Sequence, residues 1–359
     1  MYTDKIFILQ GVFMKFKKAL LFFIALCFLS GCFMTPGFTF FDKKKTEIES
    51  IQKYDEEKND VWCVTFQLVW NEFMDKMFNG EPINFVDGNP KIADELNKKS
   101  YTKDDISENS YYIESGKISK KLKKQIEKAI YEKFKEKSDI LDLVDWSAKD
   151  SYLFYSILKK DFNFYTAFDK LKPAPFNDSK EKVKYFGIEN KSNQALYKNL
   201  EVLFYNSAED YAVKLLTKEN EEVILYRTIL DKSFEEYYTY ITENTNPTNF
   251  TKKDVLIIPE IAVDKTISYD SLCGKKIVGS NYIISQALQT IKFKMDNKGG
   301  SLKSEAALSV MKTALLPEED SPKFLLFDKP FVMFLKEQGK EKPYYAMKIE
   351  NTDYLVKEK

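Results

Sequence analysis

No histidine occurs anywhere in the 359 residues. Ser-His and Cys-His nucleophiles, imidazole zinc sites and HExxH metalloproteases are therefore excluded. Arginine is almost missing too: Arg227 stands alone among 55 basic residues, which 55 acidic residues balance. Bidentate recognition of phosphates and bases favours arginine. A neutral chain with one arginine therefore argues against a nucleic-acid partner. Neither GxxxxGK[ST] nor GxGxxG is found. With so many acids, carboxylate pairs arise at any spacing by chance. No catalytic residue, metal-ligand set or cofactor motif stands out, and the chain reads as a non-enzyme.

The N-terminus has a more definite pattern. Met14-Lys-Phe-Lys-Lys18 is a short basic head, and Ala19 to Leu29 is an apolar run too short to span a bilayer. It ends in Leu29-Ser-Gly-Cys32, the order of parts in a bacterial lipoprotein signal. Translation is expected to start at Met14, cleavage to fall before Cys32, and Cys32 to take the lipid. The expected organisation is a signal at 1–31, a tether at 32–58 and one folded domain at 59–359. That places the protein outside the cytoplasm, held by lipid to the cell membrane or outer membrane, as a monomer. Of four cysteines, Cys27 leaves with the signal and Cys32 is lipidated. Cys63 and Cys273 have no motif spacing and read as separate buried thiols, although the compartment would permit a bridge.

Along the domain, helical patterns give way to strands. Val61 to Met77 is apolar on most faces, as in a buried helix. Ser119 to Lys135 carries Leu122, Ile126, Ile130 and Phe134 on one stripe; its lysines, Lys117 to Lys128, form a solvated face. Strands are predicted at Ser110 to Ile113, Tyr152 to Leu158, Leu200 to Tyr205, Tyr211 to Leu216, Val223 to Tyr226 and Val255 to Val263. Phe324 to Leu335 and Tyr344 to Ile349 close the chain as a hairpin. Pro259 suggests an edge or a bulge. This order predicts an α+β domain with largely antiparallel sheets.

Several segments resemble the serpin superfamily. Phe327-Asp-Lys-Pro-Phe-Val332 and Pro343-Tyr-Tyr-Ala-Met-Lys-Ile-Glu-Asn351 resemble its closing strands. Val255-Leu-Ile-Ile-Pro-Glu-Ile261 with Tyr269-Asp resembles its strand and helix start. Ser110 to Trp146, ending Val144-Asp-Trp146, resembles its strand-helix-strand unit, and Phe164-Tyr-Thr-Ala-Phe168 an aromatic pair. The likeness spans roughly 59–351 and implies a serpin-like fold lacking one family helix, since only five residues separate Trp146 from Tyr152. Cys63-Val-Thr-Phe66 stands where the family's serine cluster would be, and Lys160-Asp161 replaces its Lys-Gly.

The resemblance makes Asn297 to Asp320 the segment of interest. Its small residues are the family's hinge: Gly299, Gly300, Ser301, Ser304, Ala306 and Ala307. In such proteins a cut loop adds to a sheet as a new strand, burying alternate side chains. Two registers are open. With Ser304 at the hinge, Ser304, Ala306, Leu308, Val310 and Lys312 face inward and the scissile bond falls near Pro317-Glu318. With Gly300-Ser301 there, Lys303 and Glu305 face inward, at a cost of several kcal/mol, and the bond falls near Ala314-Leu315, with Leu316 beside it. The expected function is a serine or cysteine protease inhibitor acting through 301–320. The alternative is a non-inhibitory surface lipoprotein that binds another surface protein or a ligand.

Overall fold

The computed structural model describes residues 52–53, 61–148, 150–304 and 322–358. Strands β1 (Gln52–Lys53) and β2 (Val61–Cys63) precede helices α1 (Thr65–Phe78) and α2 (Lys91–Asn97). β3 (Tyr111–Lys117) leads to α3 (Lys120–Phe134), a 3-10 turn at Leu141–Leu143 and the long β4 (Tyr152–Asn163). Four short strands follow: β5 (Asp169–Lys170), β6 (Ala174–Pro175), β7 (Lys182–Val183) and β8 (Tyr185–Ile188). β9 (Leu200–Ser207), β10 (Asp210–Leu216) and β11 (Glu221–Arg227) make a meander before α4 (Phe234–Glu243). Then come β12 (Val255–Pro259), β13 (Ile261–Ser268), β14 (Leu288–Asp296), β15 (Gly299–Ser304), β16 (Phe324–Leu326), β17 (Phe331–Glu337) and β18 (Tyr345–Ile349).

Two six-stranded sheets dominate. The front sheet runs β1-β13-β14-β15-β4-β3 and the back sheet β2-β18-β17-β11-β10-β9. A four-stranded sheet runs β16-β12-β8-β5. Two pairings, β1 with β13 and β12 with β16, are parallel; the other named pairs are antiparallel. Period-2 alternation explains the front sheet. In β14, Gln289, Ile291, Phe293 and Met295 are buried while Lys292 and Lys294 face out. Phe293 meets Tyr345 of the back sheet, ring centres 5.2 Å apart. The helix α1 packs behind β4, with Phe73 against Phe154 at 4.9 Å.

Local chemistry sets the helix ends. Ser119 caps α3 by accepting from the Leu122 amide, and Lys135 ends it in a left-handed turn at φ 58°. Ser233 and Glu236 form a capping box on α4.

Four expectations need correction. Val61–Cys63 is a strand, not the start of the buried helix, because it pairs with β18, Tyr345 opposite Cys63. Val144-Asp-Trp146 is not a strand; the Ser138 hydroxyl accepts from the Ile140 and Leu141 amides and starts a turn instead. Gln52–Lys53, assigned to the tether, extends the front sheet beside Ile267 and Ser268. Pro259 is neither edge nor bulge within one strand. It ends β12, and the chain passes into β13 of a different sheet.

Candidate functional site

Gly299 and Gly300, expected at a hinge, lie inside the front sheet. β15 sits between β14 and β4, antiparallel to both, with Ser304 opposite Ile291 on one side and Leu158 on the other. Gly299 and Gly300 begin it where no side chain fits. A Cβ on Gly299 would lie 2.1 Å from the Phe162 carbonyl oxygen, and one on Gly300 2.6 Å from the Phe162 ring and 2.7 Å from the Lys294 carbonyl. The glycines permit close backbone approach.

Beyond them, parity sorts the side chains. Leu302 and Ser304 are both fully buried, while Lys303 points out and meets Asp139 at 2.7 Å. This is the parity of the first register. The second, which turned Lys303 inward, is not adopted by the described residues, because an ammonium that can reach a carboxylate at the surface is not driven into the core.

Ser304 ends in a polar chain beneath the sheet. Gln289 Nε2 donates to the Cys63 carbonyl at 2.7 Å and to Thr65 Oγ1 at 3.2 Å. Thr65 and Ser304 hydroxyls share a hydrogen bond of 3.1 Å, and Ser304 donates onward to the Thr290 carbonyl at 3.4 Å. Ser156 of β4 donates to the Thr65 carbonyl at 3.1 Å, and Tyr269 donates to Gln289 Oε1 at 2.6 Å. Burying these hydroxyls and amides is tolerable because each is paired. The chain joins α1, β4, β14 and β15 at one point. Cys63 lies beside it, and burial pushes its thiol up to about 12.

A second buried cluster ties the front sheet to the back. Lys160 of β4 reaches Glu221 of β11 at 2.5 Å and also bonds Glu337 of β17. Glu337 further accepts from the Ser107 hydroxyl at 2.7 Å and the Ser110 hydroxyl at 3.3 Å. Burial raises Glu337, but Lys160 and Ser107 outweigh it and hold the carboxyl below the usual range. Burial carries Glu221 above that range, with Lys160 offsetting only part. Two carboxylates sharing one ammonium are expected to divide in this way.

No family model and no curated protein matches the sequence. Solved structures similar to this chain include cleaved Serpin 42Da, at 11% identity over 80% of this chain and 96% of that one, TM-score 0.45. Another is the complex of thyroxine-binding globulin with thyroxine, at 10% identity over 82% and 93%, TM-score 0.46. Serpin48 of the insect Tenebrio molitor is similar at 15% identity over 78% and 79%, TM-score 0.37. Scores below 0.5 at such identities carry nothing about fold family or function, which rest on this chain's own residues. Among those, β15 lies in mid-sheet and the hairpin of β17 and β18 sits between β2 and β11 of the back sheet.

Of the residues singled out by sequence, Gly299, Gly300, Ser301 and Ser304 come together in β15. Ala306, Ala307, Ala314, Leu315, Leu316, Pro317 and Glu318 lie outside the described residues, as does Cys32. Sequence reasoning named Thr65 and Lys160 only as parts of altered family motifs, without their partners, and missed Ser156 and Gln289. Gln289 had a legible signal, a polar residue at an inward position of an alternating strand. The pairing of Lys160 had none, because its partners Glu221 and Glu337 are far away in the chain.

Proposed function

We propose that this is a lipid-anchored, extracytoplasmic protein that captures a protease through residues 301–320, the cut segment adding to the front sheet as a new strand. The observation that carries this reading is β15 itself, seated between β14 and β4 with Ser304 bonded to Thr65. Ser304 faces inward, as the first of the two expected registers requires; that register makes Ala306, Leu308 and Val310 its further inward set and Lys312 its first charge. The same register puts the cut near Pro317-Glu318, so the target is a serine or cysteine protease that accepts proline before the bond. The N-terminal pattern supports attachment through lipid on Cys32. The partner is a protein and the chain is a monomeric binder rather than a catalyst. Among the described residues no group of three metal-ligating side chains is found, and no helix is long and apolar enough to cross a membrane.

One observation favours the second reading, a surface protein that binds without inhibiting. Lys160 pins β4 to the back sheet through two carboxylates, which resists the sliding that strand addition needs. Limited proteolysis with several serine and cysteine proteases, followed by calorimetry and denaturing gels, separates the two. Capture predicts a boiling-resistant complex, or a sharp rise in melting temperature after a cut near Ala314 to Glu318. Nicking with neither result would overturn capture and leave the binder.

A further inference from the structure

The outer face of the front sheet carries a row of charge. Register sets Asp264 of β13, Lys292 of β14, Lys303 of β15 and Lys159 of β4 side by side. Three lysines on adjacent strands repel one another. The chain leaving α3 crosses this row and brings carboxylates to it. Asp139 Oδ2 lies 2.7 Å from Lys303 Nζ, and Asp139 Oδ1 lies 3.2 Å from Lys292 Nζ. Glu136 approaches Lys159 at 3.9 Å, and the Lys137 carbonyl accepts from Lys303 at 2.6 Å.

Both ends of this crossing are fixed. On one side is α3, whose Ile126 and Ile130 pack with Tyr155 and Ile157 of β4. On the other, Leu141 is buried in the same cluster, Trp146 donates to its carbonyl at 2.7 Å, and Gln286 donates to the Leu143 carbonyl at 3.2 Å. The Asp139 side chain is 24% exposed and the Lys303 side chain 13%, so the pair is shielded better than a surface ion pair.

We propose that residues 135–143 form a strap across the front sheet and that Asp139 is the positioning residue that holds β15 in it. One carboxylate bridges the strand to its neighbour β14 and cancels the repulsion between Lys292 and Lys303. β15 is thus held from inside by the Ser304 hydroxyl and from outside by a charge on a different element. This holds whether or not a protease is captured, because it concerns only how the strand is seated.

The test is hydrogen exchange on the full chain, comparing amides of 299–304 with those of β10 and β11. Asp139→Asn should speed exchange in β15 about fivefold, the equivalent of an ion pair at the upper end of the usual range, and leave β10 and β11 unchanged. High salt should move the unmodified protein toward the variant. In a Lys303→Gln background, Asp139→Asn should add little, since the coupled partner is already gone. Asp264→Asn, which touches Lys292 alone, should leave β15 protected. Unchanged exchange in Asp139→Asn would overturn the proposal. An equal loss of protection in the back sheet, or an undiminished effect in the Lys303→Gln background, would do the same.

Discussion

Gly299 and Gly300 show how a single atom decides a strand's place. In the sequence they stand out as small residues, which the family resemblance implies are a hinge. The structure uses them for the missing Cβ, since Phe162 and Lys294 occupy that space. Gly299→Ala should therefore destabilise the domain by about 1–3 kcal/mol, the range for overpacking. It should also raise proteolytic sensitivity of the front sheet. A chemical melt within a few tenths of the parent would show that the contact relaxes freely.

Lys160 makes a prediction with a sign. Glu337 has a depressed folded pKa, so it contributes stability above the unfolded carboxylate value and loses it as pH falls through the folded one. Lys160→Met leaves Glu221 and Glu337 facing each other without a cation. Both folded pKa values then rise, and the pair contributes stability only when protonated, lost as pH increases. The variant should be several kcal/mol less stable at pH 7, with the gap narrowing towards pH 4. Melts at both values decide it, and a gap that widens in acid refutes the assignment.

At the scale of elements, β14 alternates from Ile291 to Met295, with Lys292 and Lys294 between the buried apolar residues. β17 is buried throughout and β18 at all but one position, so the closing hairpin followed instead from two apolar runs and a glycine turn at Gly339. The α3 helix followed from its four-residue stripe and Ser119. Val61–Cys63 and Leu141–Leu143 were not legible, because a strand of three residues exists only through its partner β18, and a 3-10 turn only through the Ser138 hydroxyl. The polar chain under β15 belongs to this scale. Thr65→Val removes the hydroxyl shared by Gln289 and Ser304 and leaves a buried donor unmatched, at about 1–3 kcal/mol. Exchange at Leu302 to Ser304 should rise more than elsewhere in the front sheet; uniform change would mean that Thr65 does not seat β15.

For the whole molecule, two predictions concern attachment and thiols. Cys32→Ala should release the protein from the membrane fraction and abolish lipid labelling; unchanged fractionation would refute the anchor. Cys63 and Cys273 form no disulfide. Thiol counting in denaturant without reductant should find both, and in the native protein Cys63 should react last, since the thiolate is the reactive form and burial opposes it.

The amino-acid pattern by itself determined the α+β class, the antiparallel strands, the long amphipathic helix and the small-residue segment between two strands. These are local properties, set by side-chain period, caps and turn formers within a few residues. Only the tertiary structure decided that Gly299–Ser304 is a central strand, that Ser304 rather than Lys303 faces inward, and that Asp139 meets two lysines. It also decided that Lys160 sits between Glu221 and Glu337. Each of these depends on groups far apart in the chain, 61 residues for Lys160 and Glu221 and 239 for Thr65 and Ser304, brought within hydrogen-bond reach. Charge pairing and backbone clearance at that separation leave no periodic trace in the sequence.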